Sequence, residues 1–427
     1  MGNGVGVRSS TGVPALRRTG RGGRRAASLL CGLVAACSGL VAACGATPAS
    51  PRSPLPGHAA RSAPRSATLE PASASAAASA GAAGNAGSFS LLAAGDVLVH
   101  DAVLARARSD AGGAGYDFGA MLARIAPRIA AADVAICHLE TPLSATDTHL
   151  SGYPVFNTPR ELATALAAAG FDGCSTASNH ALDQGLPGVT STLDVLDAAH
   201  LSHAGTARSA AERHHVDTYL VHGVRVAHLS YTYGTNGVRL PVGAAWAVNR
   251  IDVPTILADA RAARAEGAGF VVVSMHWGLE YHVEPTPEQQ EQARRLLASP
   301  DIDLILGDHV HVQQPVERVG DKYVVYGLGN LLSNQSPASG LPAQTEDGAL
   351  VTVHVQGVAG GAGAGLRHRV DQVTYTPTFC PIGSYQVVPV VSALADPATP
   401  DALRAALRAS LARTRAIQDQ GVATLAG

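Results

Sequence analysis

The chain has 427 residues, 46% of them apolar, enough for one large core with extensions or for two domains. Aromatic residues make up only 4%, so that core is built mainly from Ala, Val and Leu. Residues 1–70 hold nine Arg, no Lys and one acid (Glu70), leaving 22 basic against 32 acidic residues, a net of −10, in the remainder; with no basic stripe there, the balance argues against nucleic-acid binding.

In chain order, Arg17, Arg18, Arg21, Arg24 and Arg25 precede an apolar run, Ala26–Ala43, which meets Cys44 in Val41-Ala42-Ala43-Cys44. A basic start, an apolar stretch and small residues before a cysteine resemble a bacterial lipoprotein signal over residues 1–44, with Cys44 as the lipidated residue. Val34-Ala35-Ala36-Cys37 repeats the pattern after a shorter run. The signal implies an extracytoplasmic protein attached to the bacterial cell membrane. Residues 45–87 are Ala, Ser, Pro, Gly and Arg with almost no large apolar side chains. Such a segment buries too little surface to offset its ordering entropy and reads as a disordered linker.

The folded part is expected over residues 88–357, with 358–427 as a C-terminal extension packing on it. Ser90–Ala94 reads as a buried strand, Tyr116–Ala132 as helical, and Val134–Ile136 as a short strand. Pro159–Ala169 and Gly188–Ala199 carry helical apolar stripes, with Cys174–Ala177 a strand between them. Tyr219–Tyr231 reads as a hairpin turning at His222-Gly223. Val253–Glu266 is a helix stopped by Gly267 and Gly269, and Phe270–Met275 an unbroken apolar strand of the kind covered on both faces. Pro287–Ala298 is a helix; Ile302–Leu306, Tyr323–Tyr326 and Ala349–Val355 are strands. Gly360–Gly365 is a loop, Val370–Thr376 and Tyr385–Val391 are further strands, and Pro400–Thr414 is a helix with Leu403, Leu407 and Leu411 on one face. Alternating strands and helices predict an α/β fold around a largely central sheet. Outside the signal, Cys137, Cys174 and Cys380 fit no zinc-thiolate spacing, and Cys137 and Cys174 read as small buried apolar residues.

Five polar clusters follow predicted strands: Gly95–His100, His138–Leu143, Ser178–Asp183, His276–Tyr281 and Gly307–Val312. Strand carboxyl ends are where α/β sheets place ligands, and Asp, Glu, Asn and His ligate hard and borderline divalent cations. Asp96 follows a Gly that allows a tight backbone turn, with His100 in support. Glu140 has two oxygens with which to bridge cations. Asn179 offers an amide oxygen. His180 beside it is the candidate acid or electrostatic stabiliser, its ring fixed by Asp183. His276 leaves the most hydrophobic strand, with Glu280 and Tyr281 beyond it as candidate substrate contacts. His309 and His311 have strand spacing and are expected on one side. Asp96, Glu140, Asn179, His276, His309 and His311 together are enough for one or two divalent cations, and their mixed oxygen and nitrogen donors suit Mn, Fe or Zn.

The order of these groups resembles calcineurin-like metallophosphoesterases, with two departures: position 98 is Leu, so the first motif lacks an Asp-x-His spacing, and Glu140 stands where those enzymes carry Gly-Asp. The chain more closely resembles the CapA family of poly-γ-glutamate capsule biosynthesis proteins. The stretches that match are Ala93–His100, His138–Leu143, Ala177–Gly185, His276–Tyr281, Gly307–Val316 and Tyr326–Asn330. The resemblance implies a metallophosphatase-like fold of central β-sheets flanked by helices, with Asn330 at the substrate. It further implies a role in synthesis or export of an anionic polymer such as poly-γ-glutamate, with membrane polymer-synthase subunits as partners. Three functions fit it: a metal-dependent hydrolase or transferase, a non-enzymatic polymer-binding or assembly subunit, and a metallophosphoesterase acting on another envelope substrate.

Overall fold

The computed structural model describes residues 87–358 and 367–426. The expected signal over 1–44, all but the last residue of the 45–87 linker, and the Gly360–Gly365 loop lie outside the described residues. The first half runs β1 (Phe89–Val97), α1 (Asp101–Asp110), α2 (Gly119–Leu122), α3 (Ala126–Ile129), β2 (Val134–Leu139), β3 (Leu143–Ser144), β4 (Thr158–Pro159), α4 (Glu161–Ala169), β5 (Gly173–Ser175), α5 (Gly185–Ala198), β6 (Ser202–Ala204) and α6 (Ala210–Arg213). The second runs β7 (Asp217–Val221), β8 (Val224–Thr232), α7 (Val253–Ala265), β9 (Phe270–His276), α8 (Pro287–Leu297), β10 (Leu304–Asp308), β11 (Gln313–Val319), β12 (Lys322–Leu328) and β13 (Asn330–Leu332). The chain closes with β14 (Asp347–Val358), β15 (Arg367–Phe379), β16 (Val388–Pro389), α9 (Val390–Ala395), α10 (Asp401–Gln418) and β17 (Thr424–Leu425).

Two large sheets flanked by helices form, as the resemblance implied, with a short β3–β4 pairing beside them. The first has the order β16-β15-β14-β1-β2-β5-β6, with β13 also paired to β1 and β17 to β15; the second has the order β11-β12-β10-β9-β8-β7. In the first, β1, β2, β5 and β6 are parallel. In the second, β12, β10, β9 and β8 are parallel, and the edge strands β11 and β7 run antiparallel. The period of two along each strand sorts side chains into layers. Leu91, Ala93, Val134 and Ile136 of the first sheet meet Val226, Phe270, Val272, Leu304 and Leu306 of the second in a core between the sheets. The alternate residues face outward. Leu92, Ala94, Ala135 and Leu139 pack against helices through Phe118, Met121, Leu162 and Leu193. On the other side Val271, Val273 and Ile305 pack on Ile256, Ala260 and Leu296.

Several local expectations change. Tyr116–Ala132 breaks into the short α2 and α3, α1 was not foreseen, and only Val388–Pro389 of Tyr385–Val391 is strand before α9 begins. The hairpin turn at His222-Gly223 forms as expected, with φ of 47° and 80°, the left-handed pair that a two-residue turn requires. Cys137 and Cys174, expected as separate buried thiols, are register partners on β2 and β5 and form a disulfide.

The C-terminal helix is tied in by charge. Arg413 of α10 donates Nε and Nη2 to the two carboxylate oxygens of Asp347 at 2.6 and 2.8 Å. The Asp347 side chain is only 3% exposed, so Arg413→Ala leaves a buried carboxylate unpaired. The expected cost is about 3 kcal/mol in denaturant unfolding; a loss below about 1 kcal/mol would show the pair to be solvent-screened.

Candidate metal centre

The inward rows of the parallel strands are apolar at their amino ends and polar at their carboxyl ends. On β2 the row runs Val134, Ile136, His138; on β9 Phe270, Val272, Ser274, His276; on β10 Leu304, Leu306, Asp308. Three strands therefore deliver His138, His276 and Asp308 to one place between the sheets. Strand β1 needs a correction to join them. Leu91 and Ala93 face inward, so strict alternation would turn Asp96 outward. The register with β2 shifts between Ala94 and Asp96, and this bulge re-aims Asp96, making it the partner of His138. Gly95 serves this close approach rather than the tight turn expected: a Cβ there would stand 1.9 Å from the Gly329 carbonyl oxygen, to which the Asp96 amide donates at 3.0 Å.

His309 and His311 reach the site differently from expectation. Strand β10 ends at Asp308, and both histidines lie beyond it with φ of 91° and 59°. Left-handed backbone at two non-glycine residues is strain of the kind held at functional sites. It carries both rings to the centre, with centroids 5.9 Å apart.

The result is a closed polar box. Asp96, Glu140, Asp308, His138, His276, His309 and His311 are all at most 3% exposed. His138 Nε2 lies 3.8 Å from Asp96 Oδ1, and its Nδ1 lies 2.7 Å from Ser175 Oγ. His311 Nδ1 is 3.2 Å from Asp96 Oδ2 and its Nε2 3.9 Å from Glu140 Oε1. His276 Nε2 is 2.9 Å from Asn179 Oδ1 and 3.9 Å from Glu140 Oε1. The His309 amide donates to both Asp96 oxygens at 3.2 and 3.3 Å. All six expected ligands thus converge, and His138 and Asp308 join them. Glu280 stands exposed at the mouth, grouped with His309 and His311. Tyr281 lies there too, its ring 6.0 Å from that of His311.

Asn330 is not a substrate contact. It is 1% exposed, its Oδ1 lies 3.1 Å from His311 Nδ1, and its Nδ2 donates to Gln335 Oε1 and the Thr345 carbonyl. Its capacity is spent on orienting His311. Asp183 Oδ2 accepts from His180 Nδ1 at 2.7 Å and from the Phe156 amide at 2.7 Å. A carboxylate can only accept, so the His180 Nδ1 carries a proton and Nε2 is left for chemistry. His100 lies against Phe156, ring centroids 5.4 Å apart. Two residues outside every sequence cluster also arrive. The Tyr233 ring covers His309 at 4.4 Å, and Asn236 Nδ2 stands 3.5 Å from His180 Nε2.

The electrostatics fit a cation. Burial, then the charges of Asp96 and Glu140, push the Asp308 carboxyl well above its ordinary value. Burial likewise raises Glu140, against the charge of His311. Burial alone would raise Asp96 as well, but the hydrogen bond and charge of His311 hold it below. Burial depresses His138 to about 4 and His309 to about 3. His311 moves the other way: burial lowers it, but the Glu140 and Asp96 carboxylates carry it up to about 9. Both Glu140 oxygens, His138 Nε2, His276 Nδ1, His309 Nδ1 and Asp308 Oδ1 have no hydrogen-bond partner. Buried polar atoms are normally paired, so six unpaired ones converging on one box match the donor set of a divalent cation. Ligands about 2.1 Å from one cation stand about 3.0–3.4 Å apart, close to the shorter separations above.

Fold and centre together define an α/β protein whose strand ends assemble a buried carboxylate–histidine box that could hold metal ions. The family described as Bacterial capsule synthesis protein PGA_cap matches residues 90–335, and the chain belongs to it. It is 30% identical over 204 residues to the "PGA biosynthesis protein CapA" of Bacillus subtilis, covering 47% of this chain and 51% of that one. It is 29% identical over 200 residues to the "Capsule biosynthesis protein CapA" of Bacillus anthracis, covering 46% and 47%. The chain thus spans about half the length of these curated relatives. Among solved structures, Haemophilus influenzae NAD nucleotidase is 12% identical with a TM-score of 0.42, covering 79% of this chain and 64% of that one. Among the described residues, no helix is long and apolar enough to cross a membrane.

Proposed function

We propose that this protein works outside the cytoplasm, held at the bacterial membrane through Cys44, in making or exporting poly-γ-glutamate. In this reading it is a metal-dependent hydrolase or transferase acting on the polymer's amide bond. The observation that carries the catalytic part is the buried box with its six unpaired polar atoms; family membership supports the polymer.

Asp96, Glu140, Asn179, His138, His276, Asp308, His309 and His311 would hold one or two cations, of Mn, Fe or Zn type. Cations there supply Lewis acidity, polarising the attacked carbonyl and lowering the pKa of water. The remaining work belongs to side chains. Asp183 fixes the His180 ring with its proton on Nδ1, so that Nε2 would take a proton from the attacking water and pass it to the departing amine nitrogen. Tyr233, its ring parallel to that of His276 and tilted against that of His309, would form one wall of the substrate's approach. Glu280 and Tyr281 at the mouth contact the substrate.

The test is turnover of a γ-glutamyl peptide by metal-loaded protein. His180→Gln should keep its metal and lose about 10²–10⁴ in rate. A wild type that binds metal and turns over no γ-glutamyl peptide would sink the catalytic reading and leave a polymer-binding subunit.

A further inference from the structure

The carboxyl end of β8 is joined by residues 249–251. The Thr232 amide donates to the Asn249 carbonyl and the Ile251 amide to the Thr232 carbonyl, both at 2.9 Å, so Arg250 pairs with Thr232 in parallel. Thr232 is in turn the register partner of His276 on β9. Two strand spacings, about 10 Å, therefore separate the backbones of Arg250 and His276. Arg250 Nη2 donates to the Tyr233 carbonyl at 2.8 Å, and the Tyr233 amide donates to the His276 carbonyl at 3.0 Å. Tyr233 thus joins the guanidinium to a histidine of the metal box, while its own ring lies 4.4 Å from that of His309. Three residues on, Asn236 Nδ2 stands 3.5 Å from His180 Nε2. The stretch from Tyr233 to Asn236 therefore has Arg250 at one end and His180 at the other.

This guanidinium is uncommitted. Arg208, Arg213 and Arg264 are each bound to carboxylates. Arg250 is exposed, and among the described residues its side chain forms no ion pair and bonds only the Tyr233 carbonyl. A guanidinium has five N–H donors in a planar fork, so most of those of Arg250 are open. Glu280, the acid at the mouth, groups with His309 and His311 instead. Burial, then Glu280 and Glu140, push the Tyr233 hydroxyl up to about 12, and the charge of Arg250 opposes them. The guanidinium charge is therefore felt at the wall of the metal box.

We propose that Arg250 reads a free carboxylate of the substrate, so that the site prefers a polymer with an α-carboxylate beside each amide bond to an uncharged one of the same shape. The inference rests on the γ-glutamyl reading above and assigns a residue to its specificity. A planar fork meets a carboxylate through two parallel hydrogen bonds. A carboxamide of the same shape offers one oxygen, and turns its own N–H donors against those of the guanidinium.

The test uses the full metal-loaded chain and a γ-linked glutamate trimer in two forms, one with free α-carboxylates and one with α-carboxamides in their place. Binding is titrated by calorimetry in the His180→Gln background, which keeps the bonds intact; turnover is assayed with His180 present. The acid form should bind at least about tenfold more tightly than the amide form. Adding Arg250→Gln should abolish that preference by weakening the acid form alone. Arg250→Lys, which keeps the charge without the fork, should retain part of it. A side chain that merely braced the Tyr233 carbonyl would, on removal, weaken both forms alike. That parallel loss would overturn the proposal, as would equal binding of the two forms with Arg250 present. So would a preference kept in full by Arg250→Gln, which would assign the carboxylate to the metal ions. A preference that follows Arg250 without any turnover would sink only the catalytic reading, and turnover without the preference only this one.

Discussion

Elemental analysis of the purified protein should return about two divalent cations per chain, about one in His138→Gln and almost none in Asp96→Ala. The expectation follows from which groups share residues. Asp96, His138 and His276 can hold one ion; Glu280, His309 and His311 can hold another, and the two sets have no member in common. Two cations therefore need not compete. His138 belongs only to the first set, so its loss should empty one position. Asp96 also joins Glu140 and His311 in a further candidate set, and its oxygens accept the His309 amide. Removing it disturbs both positions. Each variant's near-ultraviolet circular dichroism would show that it is folded. A folded wild type that binds no metal at any loading would refute the centre. Two equivalents retained in His138→Gln would remove His138 from it.

That prediction gives weight to His138, which was not among the expected ligands. His138 and Asp308 both lie inside polar clusters recognised from the sequence. Residue type alone favours their neighbours, Glu140 and His309. Strand parity could have found them: Val134-x-Ile136-x-His138 and Leu304-x-Leu306-x-Asp308 each place the polar residue in the buried row. His138 stands beside Asp96 from the neighbouring strand. The strand–helix alternation, the hairpin turn and the His180–Asp183 pair were legible because they are local. What was not legible depends on distant partners. The bulge at Asp96 rests on contact between Gly95 and Gly329, and the second sheet on pairing decided by burial rather than pattern. Likewise Tyr233 and Asn236 come from a stretch with no motif, and tertiary packing alone brings them to the site. The left-handed turns at His309 and His311 broke the strand spacing that had suggested the pair, yet the pair still converges.

Asp308→Asn should stabilise the metal-stripped protein and destabilise the metal-loaded one. Asp308 is buried, its Oδ1 has no partner, and burial together with Asp96 and Glu140 raises its pKa. An unfolded aspartate titrates near about 3.9. Because the folded value is higher, the stability tied to this group is fully present below the unfolded value and is lost as pH rises through the folded one. In stripped protein at pH 8 the carboxylate is thus a cost, on the order of 1–3 kcal/mol, that the uncharged amide removes. The melting temperature of stripped Asp308→Asn should rise by a few degrees at pH 8, and the gain should shrink toward pH 4. Bound cations reverse the sign. The carboxylate then faces positive charge, and a metal present at 100 times its Kd adds about 2.7 kcal/mol to the wild type. The variant, binding more weakly, forgoes part of that. Melting curves at pH 8, with chelator and with metal, read both halves together. A variant less stable in both states would make Asp308 a structural carboxylate; one more stable in both would mean that no cation sits beside it.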